Sequence, residues 1–207
     1  MTRTCEFGPL TVSYDERVLT PRPWTFAQSS WAAELAATAP PGPILELCAG
    51  AGHIGLAAAV LADRDLVQVE ADPVAARYAR SNAERAGRAD RVQVREARLE
   101  AALEPGERFG LIVADPPYLT SDDVARWPED PQVAIDGGTD GLDVIKQCLM
   151  VAAEHLADGG LLLLQVAGPA QDARVRDLLA AAPAVPLTHR DARVVDDERA
   201  IMLIGRR

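Results

Sequence analysis

Between Ile44 and Val166 the chain alternates short, wholly apolar runs with Ala-rich stretches of helical period. This alternation constrains the fold more than any other feature. Strands that are apolar throughout need cover on both faces, and helices between them make right-handed parallel crossovers. The runs predict strands at Ile44–Cys48, Leu66–Glu70, Arg91–Arg95, Phe109–Asp115 and Leu161–Val166. Helices are expected from the glycine-rich turn through Leu61, then over Pro73–Ala86, Leu142–Ala157 and Gln171–Ala181. Segments near Val185–Arg190 and Arg199–Gly205 read as closing strands. The expected fold class is α/β: a doubly wound sheet, mostly parallel with an antiparallel closing strand. Ligands of such a sheet sit at the carboxyl ends of its strands, near the switch point.

Ahead of this alternation, Phe7–Val12 and Arg17–Leu19 read as a short extended pair around Ser13-Tyr14-Asp15-Glu16. Pro21-Arg22-Pro23 blocks regular structure, and Thr25–Ala39 has helical period until Pro40-Pro41-Gly42-Pro43 stops it. A length of 207 residues suits one domain, with residues 1–40 packed on it and no separate substrate-docking domain.

Aromatic residues are only 4% of the chain, so its core must come from Ala, Val and Leu. The formal net charge of −10 disfavours broad, sequence-independent nucleic-acid binding, which depends on Lys and Arg displacing counterions. Three widely spaced cysteines, Cys5, Cys48 and Cys148, form no CxxC and suggest neither a zinc site nor a disulfide framework. The N-terminus lacks the apolar core of a signal peptide, and no apolar run is long enough to span a bilayer. The expectation is a soluble, cytoplasmic protein with no metal and no membrane partner.

The most informative segment runs from Ile44 to Gly55, Ile-Leu-Glu-Leu-Cys-Ala-Gly-Ala-Gly-His-Ile-Gly. Gly50 and Gly52 allow a tight turn and close ligand approach, and Gly55 lets the following helix lie against the sheet. The spacing also satisfies GxGxxG, so a dinucleotide site and an NAD-dependent oxidoreductase stand as an alternative. Two acids shift the balance. Glu46 lies on the strand, where a carboxylate can order the loop and attract a cationic ligand but would repel a pyrophosphate. Glu70 ends the second strand, where it can accept bonds from both ribose hydroxyls. An acid before the loop and an acid after strand two fit S-adenosylmethionine, whose sulfonium and ammonium groups are positive. Cys48, Ala49, Ile54 and Ala71 complete the expected cofactor-binding set, with Asp115 reaching it from the fourth strand.

Asp115-Pro116-Pro117-Tyr118 closes that strand. The prolines fix φ and supply no N–H, so the turn is rigid and its carbonyls stay free to accept. An amide nitrogen is a poor nucleophile because its lone pair is delocalised. The Asp115 carboxylate and the Pro116 carbonyl could grip an NH₂ group and favour the charge that develops on it. Tyr118 could stack on the flat acceptor.

These residues resemble class I S-adenosylmethionine-dependent methyltransferases with an (N/D)PPY motif, and most of all the catalytic domain of the HemK/PrmC protein-glutamine N5-methyltransferases. Phe7-Gly8 through Pro21-Arg22-Pro23 resembles the family's entry, Glu46–Gly55 its cofactor loop, and Asp115–Tyr118 its NPPY motif. Ala134–Asp143 resembles the loop after the site, and Gly168–Gln171 follows in register. The resemblance implies a Rossmann-like methyltransferase sheet, S-adenosylmethionine as cofactor and N-methylation of a planar amide or amine. A protein glutamine of release-factor type is the favoured acceptor. An RNA or DNA base is the alternative, followed by a small molecule; a non-catalytic binding module is a further rival.

The departures are Asp115 for Asn, Trp24 and Phe26 where the family usually has Glu, and Arg98 for an acid near the end of strand three. The family's N-terminal helical docking domain has no counterpart in these residues, and single-domain relatives that work with a small partner subunit make such a partner a further expectation. Trp24 and Trp127 are candidate substrate walls, although packing explains them as well. The acidic loop Asp136–Asp143 is a candidate lid.

Overall fold

The computed structural model describes residues 1–206. Its centre is a seven-stranded sheet built from β3 (Ile44–Leu47), β4 (Leu66–Glu70), β5 (Val92–Glu96), β6 (Phe109–Ala114), β7 (Leu156–Val166), β8 (Leu187–Asp196) and β9 (Arg199–Arg206). The spatial order is β5-β4-β3-β6-β7-β9-β8. Pairings among the first five are parallel, while β9 runs antiparallel to both β7 and β8. Chain order reverses at β3, so the crevice between the ends of β3 and β6 is the switch point. The cofactor loop leaves β3 there, and Asp115-Pro-Pro-Tyr leaves β6.

Period-two alternation divides the core in two. Leu45 and Leu47 of β3, with Ile112 of β6 and Leu162 and Leu164 of β7, face α4 (Asp143–His155) and α5 (Gly168–Ala181). Ile44, Leu66, Leu111, Val113 and Leu163 face α1 (Phe26–Ala36) and α2 (His53–Ala62). Between β4 and β5 lies α3 (Pro73–Arg85), with Asp72 capping it by accepting from the Val74 amide at 2.9 Å. Buried from His53 through Ala59, α2 sits between the sheet and α1. Ile54, Leu56 and Ala57–Ala59 are 0–3% exposed, and the helix reaches solvent in its last turn, at Leu61.

The expected N-terminal pair is present, but shifted. The hairpin is β1 (Arg3–Phe7) with β2 (Leu10–Tyr14), registered Phe7 to Leu10 and Arg3 to Tyr14. Gly8 takes the positive φ of 56° that a two-residue turn requires, which splits the run Phe7–Val12 in half. Arg17–Leu19 is not a strand; it opens in a turn, closed where the Val18 amide donates to the Asp15 carbonyl at 3.1 Å. Pro23–Thr25 forms a 3₁₀ turn before α1, which ends at Ala36, earlier than its periodicity suggested. Phe7, Leu10, Val12 and Val18 join the α1–α2 side of the core.

Two further differences have physical causes. The Asp158-Gly159-Gly160 turn is absorbed into β7 as a register shift opposite β6, with Gly159 at φ 74°. The β8 strand runs on to Asp196 because β9 offers it a full partner.

Candidate active site

Two cavities open at the switch point. One, of about 280 Å³, lies over the loop after β3 and the end of β4. The other, of about 720 Å³, lies over the turn after β6. Asp115, Pro117, Leu19 and Ala134 line both, so the Asp115–Tyr118 turn is their shared wall.

In the smaller cavity, Cys48, Ala49, Gly50, Ile54, Glu70 and Ala71 line the walls, as expected. Gly50 has φ 56° and open space where a Cβ would stand, so a ligand can come close to its backbone. Cys48 also takes a positive φ, 57°, where glycine would be unstrained. Glu70 accepts from the Gly50 amide at 2.7 Å and the Asp72 amide at 2.8 Å. Each oxygen keeps a lone pair for a further donor.

Glu46 and Gly52 differ from expectation, because neither lines the cavity. Glu46 shares Ile44's side of the sheet, which aims its side chain under α2. It is 2% exposed, and accepts from the Gly55 amide at 2.7 Å and the Gln68 side-chain amide at 2.6 Å. Gly55 is required by this arrangement, since a Cβ there would stand 2.5 Å from a Glu46 oxygen. Gly52, at φ 78°, is backed by Gln68, whose amide also donates to its carbonyl at 2.8 Å. Glu46 therefore orders the loop from beneath.

Three acids converge with no basic side chain bonded to any of them among the described residues. Burial pushes Glu46 up to about 7, with Asp115 and Glu70 adding repulsion against its bonds from Gln68 and Gly55. Burial pushes Asp115 up to about 7. Glu70 is raised from the ordinary carboxylate range by burial, against the amides it accepts from. A cationic ligand would relieve all three.

The larger cavity is walled by Tyr118, Trp24 and Trp127, with Asp115, Pro116 and Pro117 at its base. Burial raises the Tyr118 hydroxyl above its usual range, so it stays neutral. Arg199 lies over the Trp24 ring, 4.9 Å from its centroid, and fixes that wall. Trp127 is 41% exposed at the mouth. Asp123, Asp130, Asp197 and Glu198 also line this cavity, against Arg22, Arg126 and Arg199.

The acidic loop Asp136–Asp143 is a buttress instead of a lid. It lines neither cavity. Gly137 and Gly141 press on the backbone of Pro117 and Tyr118, leaving no room for a Cβ. Gln171 then donates to the carbonyls of Tyr118 and Gly141 at 2.9 and 3.1 Å. The segment that overhangs the cavities is 120–135, closed at its base by Leu119 and Asp136.

Several supporting residues carry no sequence signal. Gln28 donates to the carbonyls of Ala114 and Leu163, holding β6 just before Asp115. Asn82 bonds Ser13 and the Ala51 carbonyl, tying hairpin to loop. His53 lines the smaller cavity, edge-on to Phe7 at 4.7 Å, and burial lowers it to about 4, so it is neutral. The Arg98 side chain is exposed and pairs with Glu100 at 2.7 Å, and Ala97, Arg98, Leu99 and Glu100 line the smaller cavity.

Residues 29–127 match the family described as Conserved hypothetical protein 95. The release factor glutamine methyltransferase of Clostridium acetobutylicum is 30% identical over 173 residues, covering 80% of this chain and 61% of that protein. That of Geobacter sulfurreducens is 40% identical over 129 residues, or 59% of this chain and 44% of the relative. The ribosomal protein uL3 glutamine methyltransferase of Burkholderia pseudomallei is 31% identical over 138 residues, covering 60% and 44%. The chain thus spans about three fifths or less of the length of these relatives.

Among solved structures, the hMettl16 catalytic domain in complex with MAT2A 3′UTR hairpin 1 aligns with a TM-score of 0.76 at 16% identity, covering 96% of this chain and 75% of that one. The ribosomal protein L11 methylase from Lactobacillus delbrueckii subsp. bulgaricus aligns at 0.66 and 15%, covering 92% and 82%. The likeness to these solved structures shows that the chain has the class I methyltransferase fold.

Proposed function

We propose that the chain transfers a methyl group from S-adenosylmethionine to the side-chain amide nitrogen of a protein glutamine. One observation carries the reading: the Asp115–Tyr118 turn is the common wall between an acid-rimmed cavity and an aromatic-walled one. The first suits a cationic nucleoside, and the second a flat amide. Similarity to release factor and ribosomal protein glutamine methyltransferases supports glutamine as the acceptor, on a release factor or ribosomal protein. Cytoplasmic action goes with such substrates.

S-adenosylmethionine supplies a methyl group already activated on a sulfonium, so no covalent intermediate on the protein is called for. Gly50 offers backbone at close range, Glu70 accepts from the ribose hydroxyls, and Glu46 holds the loop's shape. The Asp115 carboxylate and the Pro116 carbonyl accept from the acceptor's NH₂. This fixes the nitrogen in line and stabilises positive charge as it develops there; such orientation supplies up to about 7–11 kcal/mol. Tyr118 stacks on the planar group.

A second reading, methylation of a nucleic-acid base, is favoured by one observation: the cavity of about 720 Å³, walled by two tryptophans, exceeds what one glutamine side chain fills. A tritiated-methyl screen over cell extract separates the two. Label lost to protease supports the protein acceptor, and label lost to nuclease replaces it with a base. Calorimetry with S-adenosylhomocysteine tests the cofactor directly, and absence of binding sinks the assignment.

A further inference from the structure

The segment from Asp15 to Trp24 crosses both cavities. Arg17, Val18 and Leu19 roof the smaller one; Leu19, Arg22, Pro23 and Trp24 wall the larger. Its start is pinned: Asp15 accepts from the Tyr78 hydroxyl at 2.9 Å and from the Arg17 amide at 3.0 Å. Beyond Val18 the backbone is free of the sheet, and Pro21 and Pro23 have no N–H to offer. Among the described residues, one hydrogen-bonded link joins residues 19–24 to anything beyond the start of α1. Both Asp130 oxygens accept from the Arg22 Nη2, at 2.8 and 2.6 Å.

That link reaches the overhanging loop 120–135, which carries Trp127 over the larger cavity. Asp130 is 9% exposed, and the Arg22 guanidinium is its ion-pair partner. A chain of contacts therefore runs from the roof of one cavity, through Leu19 and Arg22, to the mouth of the other.

We propose that Arg22 and Asp130 form a latch coupling the two cavities. A ligand in the smaller cavity fixes residues 17–19 and, through the ion pair, draws loop 120–135 and Trp127 over the acceptor cavity. Arg22 is thus a positioning residue that touches neither reacting group. The coupling is reciprocal: an acceptor held under Trp127 tightens cofactor binding by the same factor. The proposal rests on the cofactor reading above.

The tryptophans provide the test, because none of the three lines the smaller cavity. Trp24 and Trp127 line the larger, and Trp31 is buried at 3% exposure. S-adenosylhomocysteine should reduce acrylamide quenching of the wild-type protein. Arg22→Ala and Asp130→Ala should abolish that protection and speed S-adenosylhomocysteine release by roughly 5- to 10-fold. Melting curves establish that each variant is folded. A double variant, Arg22→Asp with Asp130→Arg, should restore protection and slow release.

Single variants with the wild-type release rate and protection overturn the latch. So does a folded exchange variant that restores neither, since the effect would then not lie in the ion pair. Wild-type protein that binds no S-adenosylhomocysteine in calorimetry fails at the earlier step, overturning the cofactor reading and the coupling with it.

Discussion

Asp115→Asn isolates the cost of holding a carboxylate at the shared wall. Burial moves Asp115 from its usual 3.8 to about 7. In the window between those values the unfolded chain is ionised while the folded chain keeps its proton. Stability contributed by this group is therefore full below about pH 4 and falls as pH rises to about 7. Asn never ionises and escapes the loss. Each pH unit in the window corresponds to about 1.4 kcal/mol, so between pH 5 and 8 the variant should gain up to about 3 kcal/mol on the wild type. Asp115 faces two cavities that water can enter, which screens the charge and reduces the gain to about 1.5 kcal/mol.

For a chain of this size that is roughly 3–6 °C in melting temperature. Differential scanning calorimetry of both proteins at pH 5 and 8 measures it. A stability difference that is the same at both pH values, or one that turns against Asn at pH 8, refutes the buried-carboxylate account. Methyl transfer supplies a second readout. If the ionised carboxylate is what favours charge on the nitrogen, wild-type turnover rises through about pH 7. The Asn variant should show a flat profile over that range.

Glu46→Gln replaces one of two accepting oxygens with an NH₂ that faces a donor; it should cost about 1–3 kcal/mol in chemical denaturation and weaken S-adenosylhomocysteine binding in calorimetry. Gly55→Ala pushes a methyl against the Glu46 carboxylate, and should destabilise by about 1–3 kcal/mol, with a larger loss in cofactor affinity than in melting temperature. S-adenosylmethionine affinity should fall as pH drops below about 7, because Glu46 and Asp115 take up protons that a cation must displace; a pH-independent dissociation constant contradicts this. Trp127→Ala, at an exposed mouth, should leave the melting temperature within about 1 °C while raising KM for the acceptor once it is known.

Much of this site was legible because its parts are local. Gly50 announces a left-handed turn, Glu70 ends an apolar run, and two prolines after Asp115 fix a rigid edge. Strands β3, β4 and β6 are buried on both faces, so their composition alone gives them away. What was illegible is held by pairs distant in sequence. Ser13 and Asn82 are 69 residues apart, and Arg22 and Asp130 are 108. A buried amide such as Gln28 reads as an ordinary polar residue on a helix until β6 and β7 arrive beneath it. The hairpin was misplaced because β1, Arg-Thr-Cys-Glu-Phe, is polar and mostly exposed, and only Gly8 marks the true turn. Glu46 was assigned to the cavity because its position on β3 was clear, while the sheet face it occupies follows from the alternation around it.

The crossing segment also sets an order of events during folding. Its anchors are distant in sequence: Tyr78 lies 63 residues beyond Asp15, and Asp130 lies 108 beyond Arg22. Contacts this far apart in sequence form slowly, because the intervening chain must close before they help. Residues 15–24 must therefore remain unsettled until the sheet exists, and the acceptor cavity is completed last.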